Sequence, residues 1–114
     1  MTGRPRALDV ATGVAAAYAS RLLAEVGWDV VKAEPPDGDP LRREASRWGG
    51  GVGGAFVFAN VGKRGVTVDT LTLERLAAAA DVVIGDFSPS GLQSMGLPHD
   101  AFEVLSPRQA LTSV

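Results

Sequence analysis

The chain has 114 residues, 46% of them hydrophobic and 21% charged, with a net charge of −2, no cysteine and a single histidine. One modest core is expected, because a chain of this length buries only about two-thirds of the surface its unfolded form exposes. The composition excludes a disulfide framework, a thiol nucleophile and a cysteine-based metal site; the apolar stretches are broken well before the roughly 20 residues a membrane span needs, and the N-terminus lacks the apolar segment of a secretory signal.

Taken in chain order, hydrophobic periodicity predicts alternating strands and helices. Ala7 to Val10 reads as a strand. Gly13 to Val26 reads as a helix whose apolar positions Val14, Tyr18, Leu22 and Val26 recur every four residues, with Ser20, Arg21 and Glu25 as its polar face. Gly27 fits the left-handed position just past a helix end. Asp29 to Ala33 is a second strand, and Pro35 to Gly54 is read as loop, where the Gly49 to Gly54 run forbids regular structure. Ala55 to Ala59 fits either a helical turn or a strand. Val66 to Val68 is a third strand, Leu71 to Ala80 a short helix, and Val82 to Ile84 a fourth strand with the unbroken apolar run of a parallel sheet buried on both faces. Pro98 to Leu105 reads as a further helix and Gln109 to Val114 as a fifth strand. The alternation predicts an α/β fold with a Rossmann-like open parallel sheet and flanking helices, residues 1–114 forming one domain. Ligands are then expected at the carboxyl ends of the strands, in the loops after Val10, Ala33, Val68 and Ile84.

Charge is unevenly distributed. Arg42, Arg43, Arg47, Lys63 and Arg64 face only Glu44 in their stretch, so this basic portion is a candidate for an anionic ligand, whereas Asp69 to Glu103 carries six acids against Arg75. Aromatic residues do not interleave with the basic ones, and nucleic-acid binding is not expected. Gly49 to Gly54 lacks the Gly-Lys-Ser/Thr ending of a P-loop and reads as a flexible loop. Glu34, Asp37 and Asp39, set among Pro35, Pro36, Gly38 and Pro40, read as a solvated turn rather than a metal or acid–base cluster. His99 is assigned a capping or surface role, and Trp28 and Trp48 a packing role.

Two runs carry a family resemblance. Gly27 to Arg42, GWDVVKAEPPDGDPLR, resembles the pattern G-A-x-V-I-K-V-E-P-P-x-G-D-P-x-R, and Asn60 to Asp69, NVGKRGVTVD, resembles N-R-x-K-R-S-V-T-L-D. Both are amino-terminal signatures of family III coenzyme A transferases, which include formyl-CoA transferase, carnitine CoA-transferases and alpha-methylacyl-CoA racemase. Ala80 to Pro89, Met95 to Leu97 and Leu105 to Arg108 are similar to further family segments, so the resemblance covers nearly the whole chain, as an amino-terminal portion of a larger family fold.

With neither an apolar span nor a secretory signal, a cytoplasmic location is expected, and no metal is expected at the acidic turn; the resemblance implies coenzyme A or acyl-CoA as substrate, with no tightly bound cofactor. It implies CoA contacts at Val14 and Ala15, at Pro35, at Val68, Asp69, Thr70 and Leu71, and at Asp86, Phe87 and Ser88. Backbone N–H groups at a helix start and at strand ends suit phosphate oxygens. Val61 and Ser94 stand where the family often carries arginine, so CoA binding by this chain is expected to be weak. The helix between Asp69 and Asp81 is about six residues shorter than the one the resemblance implies. The family's covalent aspartate has no counterpart here, no catalytic residue is assigned, and the chain by itself is expected to transfer no acyl group. The implied activity is movement of CoA between carboxylic acids; the alternatives are a non-catalytic CoA-binding or assembly module, a racemase-like fragment, or a gene fragment without stable function. The implied partners are a CoA thioester and either a second copy or a complementary carboxyl-terminal chain, with no membrane. Self-association is expected through an exposed strand edge and an apolar face.

Overall fold

The computed structural model describes residues 3–10, 14–39, 42, 54–85, 93 and 110–113. Five strands, β1 (Arg6–Asp9), β2 (Asp29–Glu34), β3 (Arg64–Thr67), β4 (Val82–Gly85) and β5 (Ala110–Ser113), form one sheet in the order β3-β2-β1-β4-β5. Every neighbouring pair is parallel. The helices are α1 (Val14–Glu25), α2 (Gly54–Asn60) and α3 (Thr70–Ala78). The Rossmann-like α/β expectation holds. The ambiguous Ala55 to Ala59 stretch lies within helix α2, and the expected helix over Pro98 to Leu105 lies outside the described residues.

Local chemistry fixes the element ends. After α1, Gly27 takes a φ of 100°, its N–H donates to the Ala24 carbonyl at 3.1 Å, and the Trp28 N–H donates to the Leu23 carbonyl at 3.0 Å. This is the Schellman arrangement, which satisfies the carbonyls a helix leaves open and favours glycine. Asp69 caps α3, its carboxylate accepting the Thr72 N–H at 2.8 Å.

Strand alternation divides the core between two faces. On one, Leu8, Val10, Ala33 and Val83 pack beneath Leu73 and Ala77 of α3. On the other, Ala16 and Ala17 of α1 and Ala59 of α2 pack on Ile84. The α3 face is aliphatic. The α1 face is built from small residues, and beneath it lie the buried polar side chains Asp9, Lys32 and Ser20.

One orientation reverses the expectation from sequence. The large apolar stripe of α1 points outward, with Leu22 44% exposed and Val26, just past the helix, 75% exposed, while Ala17 and Ser20 are fully buried. Ser20, assigned to the polar face, lies inside because its hydroxyl donates to the buried Asp9 carboxylate at 2.7 Å. A buried carboxylate without donors costs more than leaving a few apolar side chains half-exposed. Ala17→Leu is therefore expected to overpack the helix–sheet contact and cost about 1–3 kcal/mol. Leu22→Ala, on the outward stripe, should cost under about 1 kcal/mol in the monomer. Chemical denaturation of both variants in dilute solution checks this, and the opposite ranking would return the large stripe to the core.

Candidate functional site

In an open parallel sheet the crevice for ligands forms where strand order reverses, outside the carboxyl ends of the strands. Here that point lies between β1, whose chain continues into α1, and β4. The two strands run together to their ends, the Val10 N–H donating to the Ile84 carbonyl at 2.8 Å. Beyond it the chain diverges toward α1 on one side and toward residue 86 on the other.

The expected site residues distribute along this edge. Val14 and Ala15 form the exposed first turn of α1, which carries no acidic residue. Pro35 follows β2 and is half-buried. Val68 is buried, its N–H donating to the Glu34 carbonyl at 2.9 Å, which brings the end of β3 beside the end of β2. Asp69 is exposed at the N-cap of α3, Thr70 is the first residue of that helix, and Leu71 is exposed beside it. Asp86, Phe87 and Ser88 directly follow β4 and lie outside the described residues, as do His99, Trp48 and the Gly49 to Gly53 run. Near β2 and β3, Glu34, Arg42, Gly65, Val66 and Thr67 line an open cleft of about 400 Å³.

The basic portion does not form a free anion cradle among the described residues. The Lys63 ammonium, 1% exposed, donates to the Asp9 carboxylate at 2.6 Å, to the Ala17 carbonyl at 2.8 Å and to Asn60 Oδ1 at 2.8 Å. Burial lowers the Lys63 pKa below the usual lysine range, and the Asp9 charge and hydrogen bond oppose that shift. Arg42 grips Glu34 through two nitrogens, Nε to Oε2 at 2.8 Å and Nη2 to Oε1 at 2.7 Å, and Arg64 likewise pairs with Asp29 at 2.8–3.1 Å. Arg43 and Arg47 lie outside the described residues.

The turn after β2 also departs from its reading as a solvated loop. Asp37 is exposed, but Glu34 and Asp39 are buried. Lys32 reaches Asp39 at 2.9 Å with both side chains nearly inaccessible, and the Asp39 N–H donates to Glu34 Oε2 at 2.9 Å. Pro and Gly set the turn's shape, while the counter-ion that a buried Lys32 requires decides which side chains point inward. Sequence reasoning thus missed Asp9, Lys32 and Asp39 as a linked set. The available signal was a charged residue inside each of two otherwise apolar strands.

Two outcomes follow. Asp9→Ala leaves the Lys63 ammonium buried and unpaired, so a loss of about 3–5 kcal/mol is expected, and adding Lys63→Met should restore part of it; urea unfolding of both variants measures this, and a neutral Asp9→Ala would remove the pair from its central place. For Glu34, burial raises the pKa, but the Arg42 hydrogen bonds, the Asp39 amide and the charges of Arg42 and Lys32 outweigh it and hold the carboxyl below 4.5. Between the lowered folded value and the unfolded one, the unfolded chain binds more protons, so this contribution is complete above pH 4.5 and lost as pH falls through the folded value. Glu34→Gln should flatten the acid limb of the stability profile in that window, and an unchanged limb would assign the acid sensitivity to other carboxylates.

Comparison with known proteins finds relatives along nearly the whole chain. The chain is 34% identical to the succinate–glutarate CoA-transferase of Agrobacterium fabrum over 96% of its own length and 30% of that protein's. It is 33% identical to the succinyl-CoA–L-malate CoA-transferase beta subunit of Chloroflexus aurantiacus, again over 96% of this chain and 29% of that one. A crystal structure of a CAIB/BAIF family protein from Brucella suis superposes with a TM-score of 0.73 at 30% identity, covering 96% of this chain and 32% of that chain. The chain thus spans about 30% of the length of the curated relatives it matches. The sequence profile of CoA-transferase family III matches residues 5–114, and the chain belongs to that family as an amino-terminal portion of it.

Proposed function

We propose that residues 1–114 act as the CoA-binding floor of a family III CoA-transferase, an enzyme class that moves CoA between carboxylic acids. The observation that carries this reading is the open first turn of α1 at the β1/β4 switch point. Its Val14 and Ala15 are exposed and no acid occupies the turn. The backbone N–H groups of a first helical turn and the positive end of the helix dipole suit a phosphate oxygen. At the other helix start on this edge the Asp69 carboxylate holds the Thr72 N–H of α3.

In this reading, Pro35 and the Val68 to Leu71 segment flank the bound CoA, and Asp86, Phe87 and Ser88, which follow β4 in the sequence, are further CoA contacts. Lys32, Arg42, Lys63 and Arg64 are engaged by internal acids, so affinity rests mainly on backbone dipoles and is weak. The chain supplies binding and orientation. The nucleophile comes from outside residues 1–114, either from a further part of the same protein or from a partner chain; one relative's being named a beta subunit supports a multi-chain arrangement.

Ala15→Asp separates this role from folding. A carboxylate in the first turn of α1 favours the helix by about 0.3–1 kcal/mol, yet it faces the phosphates of CoA. The variant should keep or raise the unfolding midpoint while weakening CoA binding about tenfold or more, which is ~1.4 kcal/mol. Calorimetric titration of both proteins tests it, and a folded wild-type chain that binds no CoA at millimolar concentration, or equal affinities in the two, would reject the reading.

A further inference from the structure

The fully buried contact of α1 with the sheet and with α2 is made by Ala16 and Ala17, which pack on Ile84 and Ala59. Alanine carries no side chain that interlocks with a neighbour, and apolar contact is non-directional, so this packing leaves α1 room to turn or slide over the strands. Directional bonds remove that freedom. The Ser20 hydroxyl donates to Asp9 Oδ2 at 2.7 Å, and the Lys63 ammonium donates to the same oxygen at 2.6 Å. Lys63 also donates to the Ala17 carbonyl at 2.8 Å. It therefore grips the backbone of α1 itself, two residues beyond Ala15, while Asn60 Oδ1, at 2.8 Å, holds the ammonium from the α2 side.

We infer that Lys63 is a positioning residue for anion binding at the first turn of α1, acting through Asp9, Ser20 and the Ala17 carbonyl and touching no ligand itself. The inference rests on the CoA reading above and names what sets the affinity of that site. The Lys63 side chain is 1% exposed and that of Asp9 0%, so neither meets an incoming phosphate. Backbone N–H groups have no rotamers with which to follow a ligand. When the helix shifts they all shift together, and a binding constellation works only within about 0.5 Å of its productive geometry. Stability gives the pair no reason of its own, because apolar residues of similar volume hold a fold as well as a buried ion pair does. What an apolar pair does not supply is a donor on the Ala17 carbonyl.

Replacing the pair by apolar side chains, Asp9→Val with Lys63→Met, separates placement from stability in the full chain. The urea midpoint of this double variant should equal or exceed that of the wild type, while its affinity for CoA in calorimetric titration should fall about tenfold or more. Ser20→Ala keeps the ion pair and deletes one bond to it, which covers the case in which the double variant does not fold; it should stay folded and bind CoA about threefold more weakly. As a control, Arg64→Met with Asp29→Asn removes the pair at the amino ends of β3 and β2 and should leave the affinity unchanged. Equal CoA binding by wild type, double variant and Ser20→Ala, or an affinity loss that only tracks a fall in the midpoint, would overturn the positioning role and leave the CoA reading standing. A folded wild-type chain that binds no CoA would instead reject that reading, and this inference with it.

Discussion

The contact between Asp9 and Lys63 is the constraint on which the α1 side of the molecule depends. Asp9 is the last residue of β1, fully buried, in register with Lys32 of β2 and Ile84 of β4. Its carboxylate accepts from Ser20 on α1 and from Lys63 in the connection between α2 and β3. One side chain therefore ties together the central strand, the first helix and the start of the edge strand. Lys63 in turn donates to the Ala17 carbonyl and to Asn60, so the ammonium also locks α1 to the end of α2. A buried pair of this kind contributes little net stability over an apolar replacement, but half of it alone is strongly unfavourable. Its effect is to permit only one rotation of α1.

The same electrostatic logic runs along β2. Lys32 and Glu34 share the α1 face with Asp9, and the chain answers them with Asp39 and Arg42 from the turn that follows. Three ion pairs, Lys63–Asp9, Lys32–Asp39 and Arg42–Glu34, then lie near the carboxyl edge of the sheet among the described residues. Under the proposed function, a polyphosphate would draw on what these pairs do not consume, namely backbone N–H groups at strand ends and at the first turn of α1. Backbone groups carry no side-chain identity, so this part of a site tolerates wide sequence variation while keeping its chemistry.

That division explains what was legible in the sequence. The five strands, α1 and α3 were, to within a residue or two at their ends, because apolar runs punctuated by Gly27 and by the polar Asp69 report directly on local backbone geometry; α2 was legible only as a choice between helix and strand. The parallel sheet followed from the alternation. The orientation of α1 did not, since a four-residue period shows that a helix has two faces without showing which one meets the sheet. Hydrophobicity alone selects the Tyr18 and Leu22 stripe; the hydrogen-bond needs of Asp9, fixed by a residue far along the chain at Lys63, select the Ser20 stripe. The turn after β2 misled for the same reason, as its Pro and Gly residues describe curvature and the inward aim of Asp39 is set by Lys32. The strand ends at which the sequence reading expects a ligand were legible because strand ends are a property of topology. Their side-chain partners depend on pairings between distant residues, which a local pattern does not record.

The two faces of the sheet consequently differ in how they are stabilised. Beneath α3, Leu8, Val83, Leu73 and Ala77 bury aliphatic surface directly, each large side chain contributing about 1.5–3 kcal/mol when fully removed from water. Beneath α1, alanines and a serine bring the helix close to a polar layer, and little aliphatic surface is removed there. The large side chains that would normally anchor such a helix have been turned outward by the demands of Asp9. The α1–α2 layer is thus precisely oriented but weakly held by apolar burial, and the surface able to supply the missing burial lies on its outer side. Any contact that covers that surface would add apolar burial to the layer that carries the first turn of α1, the helix start on which the proposed CoA site rests.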